Sequence, residues 1–158
     1  ENQAAFHPKY RKNKGFINEL IKSDTDFAPG IEGLKDEALI NFVHEVAKSN
    51  AESIVSLGIG GSYEGPKLLI ESLGDEEILS SYKHYFITGS DRIELYETLK
   101  KLDPKKTVFI VSSKSFTTVE TIESLTDAIH WSGDINKFLA ITTNKSKAQK
   151  FNFKHKSI

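Results

Sequence analysis

The sequence holds 158 residues, with 21 Lys+Arg against 22 Asp+Glu for a formal net charge of −1, and it has neither cysteine nor methionine. That balance lacks the basic excess of a nucleic-acid binder, the missing thiols exclude disulfide frameworks and thiolate metal sites and fit a reducing compartment, and no apolar run reaches the roughly 18 residues of a membrane span. The length suits about one domain with a buried core, and a chain opening on Glu1-Asn2-Gln3 with no initiator methionine or signal peptide reads as an excised piece or a processed product.

Residues 1–35 carry a basic run suited to a solvated face (Lys9, Arg11, Lys12, Lys14), a hint of one short helix at Phe16, Leu20 and Ile21, and punctuation at Gly15, Pro29, Gly30 and Gly33. From Asp36, Leu39, Phe42, Val43 and Val46 recur at helical spacing, and Asn50 is placed to end that helix. His44 sits in it among polar neighbours, as a surface or packed residue rather than a ligand. Residues 53–57 (SIVSL) predict the first strand. Gly58-Ile59-Gly60-Gly61-Ser62 follows, then a helix over about residues 65–73, with Pro66 in its first turn and Gly74 past its end.

Residues 75–81 are a polar connection with room for a short helix. The second strand is predicted over 84–88 (HYFIT). Its helix runs through Leu95, Leu99 and Leu102, capped by Asp91 and shut off by Pro104. Val108, Phe109, Ile110 and Val111 predict a third strand buried on both faces, and the helix after it reaches about His130 before Trp131-Ser132-Gly133 stops it. Residues 137–141 (KFLAI) predict a fourth strand, ending in Thr142-Thr143-Asn144 and a weak helix over 145–150; the tail from Phe151 shows no assignable pattern.

The segment after the third strand is the most informative. Residues 112–121 (SSKSFTTVET) hold six hydroxyl side chains and one lysine within ten positions. A strand that empties into such a turn and then a helix offers hydroxyl donors, free amides and the positive end of a helix dipole, a combination suited to phosphate. A structural reading stands beside it: Thr117 with Glu120 three residues on fits a capping box, which needs no ligand. The glycine loop is equally double. Gly58, Gly60 and Gly61 let the main chain approach a ligand, or simply make a tight turn, and Ser62 is an N-cap or a hydroxyl aimed at a crevice. It is no dinucleotide fingerprint, because Tyr63 stands where the third glycine belongs, and no P-loop, because Gly65 precedes Pro66-Lys67-Leu68.

Strands alternating with helices predict an α/β fold, a doubly wound parallel sheet with helices on both faces. In such sheets ligands lie beyond the C-terminal strand ends, where strand order reverses. In a flavodoxin-like order the first and third strands are neighbours, and the glycine and hydroxyl loops then share one crevice.

Gly58-Ile59-Gly60-Gly61-Ser62 with Gly65-Pro66, and residues 112–121, resemble the GIGGSxLGP and SSKTFTTQET motifs of the glucose-6-phosphate isomerase family, in the same order and at appropriate separation. The opening ENQAAFH resembles that family's ENRAVLH, and residues 139–144 (LAITTN) its ALSTN stretch. The resemblance implies a sugar isomerase (SIS) domain of about five parallel strands that binds a phosphosugar. It places phosphate contacts on Ser113, on Lys114 largely through its main chain, and on Ser115 and Thr118. Ser62 reaches in from the glycine loop with Gly61 letting the backbone approach, and Thr121 lies one turn further on. Glu120 matches a glutamate that supports a catalytic histidine during ring opening, the capping box being its alternative. Ser115 for threonine keeps the hydroxyl. Val119 for glutamine and Glu64 for leucine bear on selectivity, and Thr88-Gly89-Ser90-Asp91 stands for SNVD.

The family's glutamate base, its histidine and lysine, and the arginine of its WDWVGGR segment lie further along, and nothing after Asn144 matches them. The implied parent interconverts glucose 6-phosphate and fructose 6-phosphate, in glycolysis and gluconeogenesis, as a cytoplasmic homodimer needing no metal or organic cofactor. Three segments are expected: an irregular or helical 1–35, the phosphosugar-binding domain 36–150, and 151–158 as a tail or truncated connection to a missing half. This piece alone is expected to be inactive. A stand-alone phosphosugar-binding module (a sensor or regulator) is the alternative function, although no basic helix-turn-helix segment accompanies it. The failed fingerprints weigh against a nucleotide-binding domain.

Overall fold

The computed structural model describes residues 37–73, 81–89 and 91–157. Short runs of β-branched and aromatic residues form β1 (Ser53–Leu57), β2 (Lys83–Ile87), β3 (Thr107–Ser112) and β4 (Phe138–Ile141), joined by β5 (His155–Ser157) in a five-stranded, all-parallel sheet of order β2-β1-β3-β4-β5. Helix α1 (Glu37–Lys48) precedes β1, and α2 (Gly61–Leu73), α3 (Arg92–Leu99), α4 (Val119–Ser132) and α5 (Lys145–Ala148) lie in the four crossovers. This is the doubly wound α/β fold that the alternation predicts, and its order reverses between β1 and β3, the switch point expected for a ligand. Among the described residues, no helix is long and apolar enough to cross a membrane.

Parallel sheets need cover on both faces, and successive strand residues supply it alternately. Val55, Leu57, Phe109, Val111, Phe138 and Ala140 pack with Leu95 and Leu99 of α3 and Leu125 and Ala128 of α4 in the larger core. Phe109 and Phe138 stack there, centroids 4.5 Å apart. The opposite face sets Val108 and Leu139 against Phe42 and Val46 of α1, the positions whose helical spacing marks that helix in the sequence.

Two terminators are as expected. Asp91 accepts from the Ile93 amide at 2.8 Å to cap α3, and Gly133, at φ 67, ends α4 in the left-handed conformation. Helix α2 differs from expectation, starting at Gly61 rather than about residue 65. Gly60 takes φ 59, and its carbonyl accepts from Tyr63 and Glu64 at 2.9 and 2.8 Å, so the first turn closes as soon as β1 ends. Pro66 then lies inside the helix and cannot donate to the Ser62 carbonyl. The tail also gains structure: β5 extends the sheet beyond β4, and Phe153 joins the larger core. Three residues at a sheet edge carry too little periodicity to be legible. The expectations for residues 1–35 and for most of the 75–81 connection lie outside the described residues.

Candidate functional site

The site is assembled at the C-terminal edge of the sheet, where Leu57, the last residue of β1, pairs with Val111 of β3, and β3 runs one residue further to Ser112 beside Ile141 of β4. Gly58 makes that meeting possible. A Cβ on it would lie 2.9 Å from the Ser62 carbonyl oxygen and 3.1 Å from that of Ser112, so only glycine lets the first loop rest on the end of β3.

The hydroxyl loop is held from within. The Ser113 amide donates to the Ile141 carbonyl at 3.0 Å, and its Oγ accepts from the Phe116 amide at 3.2 Å. Phe116 takes φ 52, a conformation costly for any L-residue with a side chain, and its buried ring meets Phe151 and Phe153 edge-on at 5.9 and 6.0 Å. Ser115 Oγ accepts from the Thr117 amide at 3.4 Å and the Thr117 hydroxyl at 2.8 Å. Both serine oxygens are thus acceptors toward their own loop, which leaves each hydroxyl hydrogen to donate elsewhere.

The capping box does not form. Helix α4 opens one residue later than that pattern requires, with Thr118 as N-cap, and the Thr118 side chain makes no cap hydrogen bond. Thr117 is turned toward Ser115 instead. Among the described residues no protein oxygen accepts from the amides of Lys114, Ser115, Val119, Glu120 or Thr121. The last three are the unpaired donors every helix start presents.

A third loop completes the enclosure. Thr142 and Thr143, after β4, both donate through Oγ1 to the Lys114 carbonyl, at 3.1 and 2.8 Å. The three loops surround an open cavity of about 700 Å³ lined by Ile59 and Ser62, by Ser112, Ser113, Lys114, Ser115, Thr118 and Thr121, and by Thr143, Asn144, Lys145 and Ser146. That lining holds two lysines and no carboxylate, although the chain as a whole carries a net charge of −1. Neither lysine is in an ion pair among the described residues. Hydroxyl donors, free amides, a helix N-terminus and unpaired cations are groups of the kind that suit an anion.

The structure therefore brings together Ser62, Ser113, Lys114, Ser115, Thr118 and Thr121 of the residues singled out in the sequence. Gly61 and Glu120 are not among the lining residues. Gly61 is the exposed first residue of α2, and a Cβ there would meet nothing within 4 Å. Glu120 is exposed on the first turn of α4, and its carbonyl oxygen lies 2.9 Å from where a Cβ on Gly89 would be. The residues after β4 were missed as site residues, although Thr143 and Asn144 fall in the LAITTN stretch; only the β3–β4 pairing shows that this stretch borders the hydroxyl loop.

Comparison with known proteins decides the family. The family model for phosphoglucose isomerase matches residues 30–158. The chain belongs to the phosphoglucose isomerase family. Among members of that family, it is 30% identical to the glucose-6-phosphate isomerase of Kluyveromyces lactis, in an alignment taking in 100% of this chain and 31% of that protein. It is 39% identical to glucose-6-phosphate isomerase 1 of Colwellia psychrerythraea over 66% of this chain and 20% of that one. The crystal structure of the glucose-6-phosphate isomerase from Chlamydia trachomatis superposes with a TM-score of 0.60 at 26% identity, covering 77% of this chain and 24% of that chain. The chain thus spans under a third of the length of these phosphoglucose isomerase relatives. Both family-like motifs, the glycine loop and residues 112–121, contribute to the one cavity.

Proposed function

We propose that this chain is the phosphate-binding portion of an aldose–ketose isomerase that interconverts glucose 6-phosphate and fructose 6-phosphate. The cavity carries the reading: three strand-end loops converge hydroxyls, free amides and two lysines on one space with no carboxylate in its lining. A phosphate held there is remote from the carbons that react, so its binding energy serves to orient the sugar for proton transfer. The isomerisation moves a proton between C2 and C1 through an enediol and needs a general base. The lining offers neither carboxylate nor imidazole, so on this reading the base comes from residues outside the cavity. Glu120, beside the cradle, takes the family's supporting role in ring opening, and Gly61 keeps the approach beside Ser62 open. A cytoplasmic location and a homodimeric full-length protein belong to the same proposal. A stand-alone phosphosugar-binding module would use a similar cradle; the names of the family relatives favour the enzyme.

Two experiments test it. Charge-assisted hydrogen bonds contribute about 1.5–3 kcal/mol each, offset by loop ordering and lost ligand freedom. The 158-residue chain is therefore expected to bind inorganic phosphate or glucose 6-phosphate near about 1 mM, or about −4 kcal/mol. Replacing Ser113 and Thr118 together by alanine removes the phosphate-dependent amide shifts in NMR spectra. Thr118→Ala alone is the cleaner probe, because losing Ser113 Oγ also orphans the Phe116 amide. Unchanged binding in the double variant would reduce the hydroxyl loop to a helix start. In a coupled assay the same polypeptide shows no isomerase turnover above background. Turnover that Glu120→Gln abolishes would return the chemistry to this chain.

A further inference from the structure

We propose that Thr142 and Thr143 are positioning residues that set the direction of the peptide at the centre of the anion cradle, a role that rests on the phosphate-binding reading above. The pair lies 28 and 29 residues from Lys114 in the sequence, yet both hydroxyls converge on its carbonyl oxygen, at 3.1 and 2.8 Å. The Thr142 bond has a defined sense. Its Oγ1 accepts from the Asn144 amide at 3.0 Å, leaving its single hydrogen for the Lys114 oxygen. Asn144 is held in turn, its Oδ1 accepting from Ser146 Oγ at 2.9 Å and from the Lys147 amide at 3.2 Å. Thr142 is buried at 4% exposure, so the clamp is anchored at the end of β4.

A peptide unit is planar and trans, with its carbonyl and the following N–H pointing opposite ways. Two donors on the Lys114 oxygen therefore also fix the Ser115 N–H, which has no protein acceptor among the described residues. Lys114 and Ser115 are both exposed, between the strand-bound Ser113 and the left-handed Phe116. Without the clamp this peptide is free to rotate and present its carbonyl where its amide stood. Toward a phosphate dianion that exchange turns attraction into repulsion, so the two hydroxyls after β4 decide the sign of the interaction through the backbone they hold.

The test is a titration of the isotope-labelled 158-residue chain with inorganic phosphate, read at the backbone amides. In Thr142→Val/Thr143→Val the apparent Kd rises at least about tenfold, or about 1.4 kcal/mol, and the phosphate-dependent shift of the Ser115 amide is lost. Thr142→Ser/Thr143→Ser, which restores only the hydroxyls, returns the Kd to within about twofold of the parent. Thr143→Val alone, at an exposed position, gives a smaller loss of the same kind and serves if the buried substitution destabilises the fold. If the parent chain binds phosphate and the valine variants bind it equally well, the clamp is refuted and the cradle stands. If the parent chain shows no phosphate-dependent shift, the cradle reading fails and the clamp with it.

Discussion

Phe116→Ala is expected to destabilise the fold by about 3–5 kcal/mol, the range for deleting a buried aromatic ring. For a domain of this size that lowers Tm by roughly 10 °C or more. Phe116 is 2% exposed, and its ring is the anchor through which Phe151 and Phe153 hold the hydroxyl loop. Its φ of 52 supplies an internal control. Alanine loses the ring and keeps the strained conformation, whereas glycine loses the ring and relieves it. Phe116→Gly is therefore expected to be at least as stable as Phe116→Ala, the reverse of their usual order by about 1 kcal/mol. Thermal and urea denaturation of the two variants measure both effects. A Tm within about 3 °C of the parent would show that the aromatic trio does not hold the loop. Phosphate binding should fall with the anchor, since Ser113, Ser115 and Thr118 flank it in sequence.

Gly58→Ala carries the second large effect. The new methyl would sit 2.9 Å from the Ser62 carbonyl oxygen, 3.0 Å from Ser62 Cβ and 3.1 Å from the Ser112 carbonyl oxygen. Two of those three atoms are backbone and cannot swing aside, so α2 must move away from the end of β3. Overpacking of this kind costs about 1–3 kcal/mol. It also widens the crevice between the glycine and hydroxyl loops, so phosphate affinity should drop along with stability. Gly61→Ala is the matched control: it is exposed at the start of α2, is not followed by proline, and apart from its chain neighbours nothing lies within 4 Å of a Cβ there. It should stabilise by up to about 1 kcal/mol through helix propensity. Equal melting temperatures for the two alanine variants would refute the steric account.

Much of this architecture is a local property of the chain. The β-branched run at Val108, Phe109, Ile110 and Val111 makes a strand wherever it is buried, Leu39, Phe42 and Val46 line one side of a helix, and Asp91 and Gly133 terminate helices through bonds to near neighbours. Alternation of such units leaves a parallel sheet as the economical packing, so the fold and two of the loops around the cavity are legible from one sequence. What tertiary structure alone decided are relations between distant residues. Thr117 has the pattern of a cap, but the strained turn at Phe116, held by rings from the tail, starts the helix one residue later and leaves the Thr118 side chain without a cap bond. Three neighbouring glycines look alike in the sequence, and the folded approach of Ser62 and of the distant Ser112 carbonyl singles out Gly58 as the one with no room for a side chain. Residues 155–157 have no strand signature until β4 offers them an edge, and Thr142 and Thr143 are two ordinary hydroxyls until β3–β4 pairing puts them on Lys114. Hydrogen bonds and steric contacts act over a few ångströms in space, and sequence periodicity records only those made between neighbours along the chain.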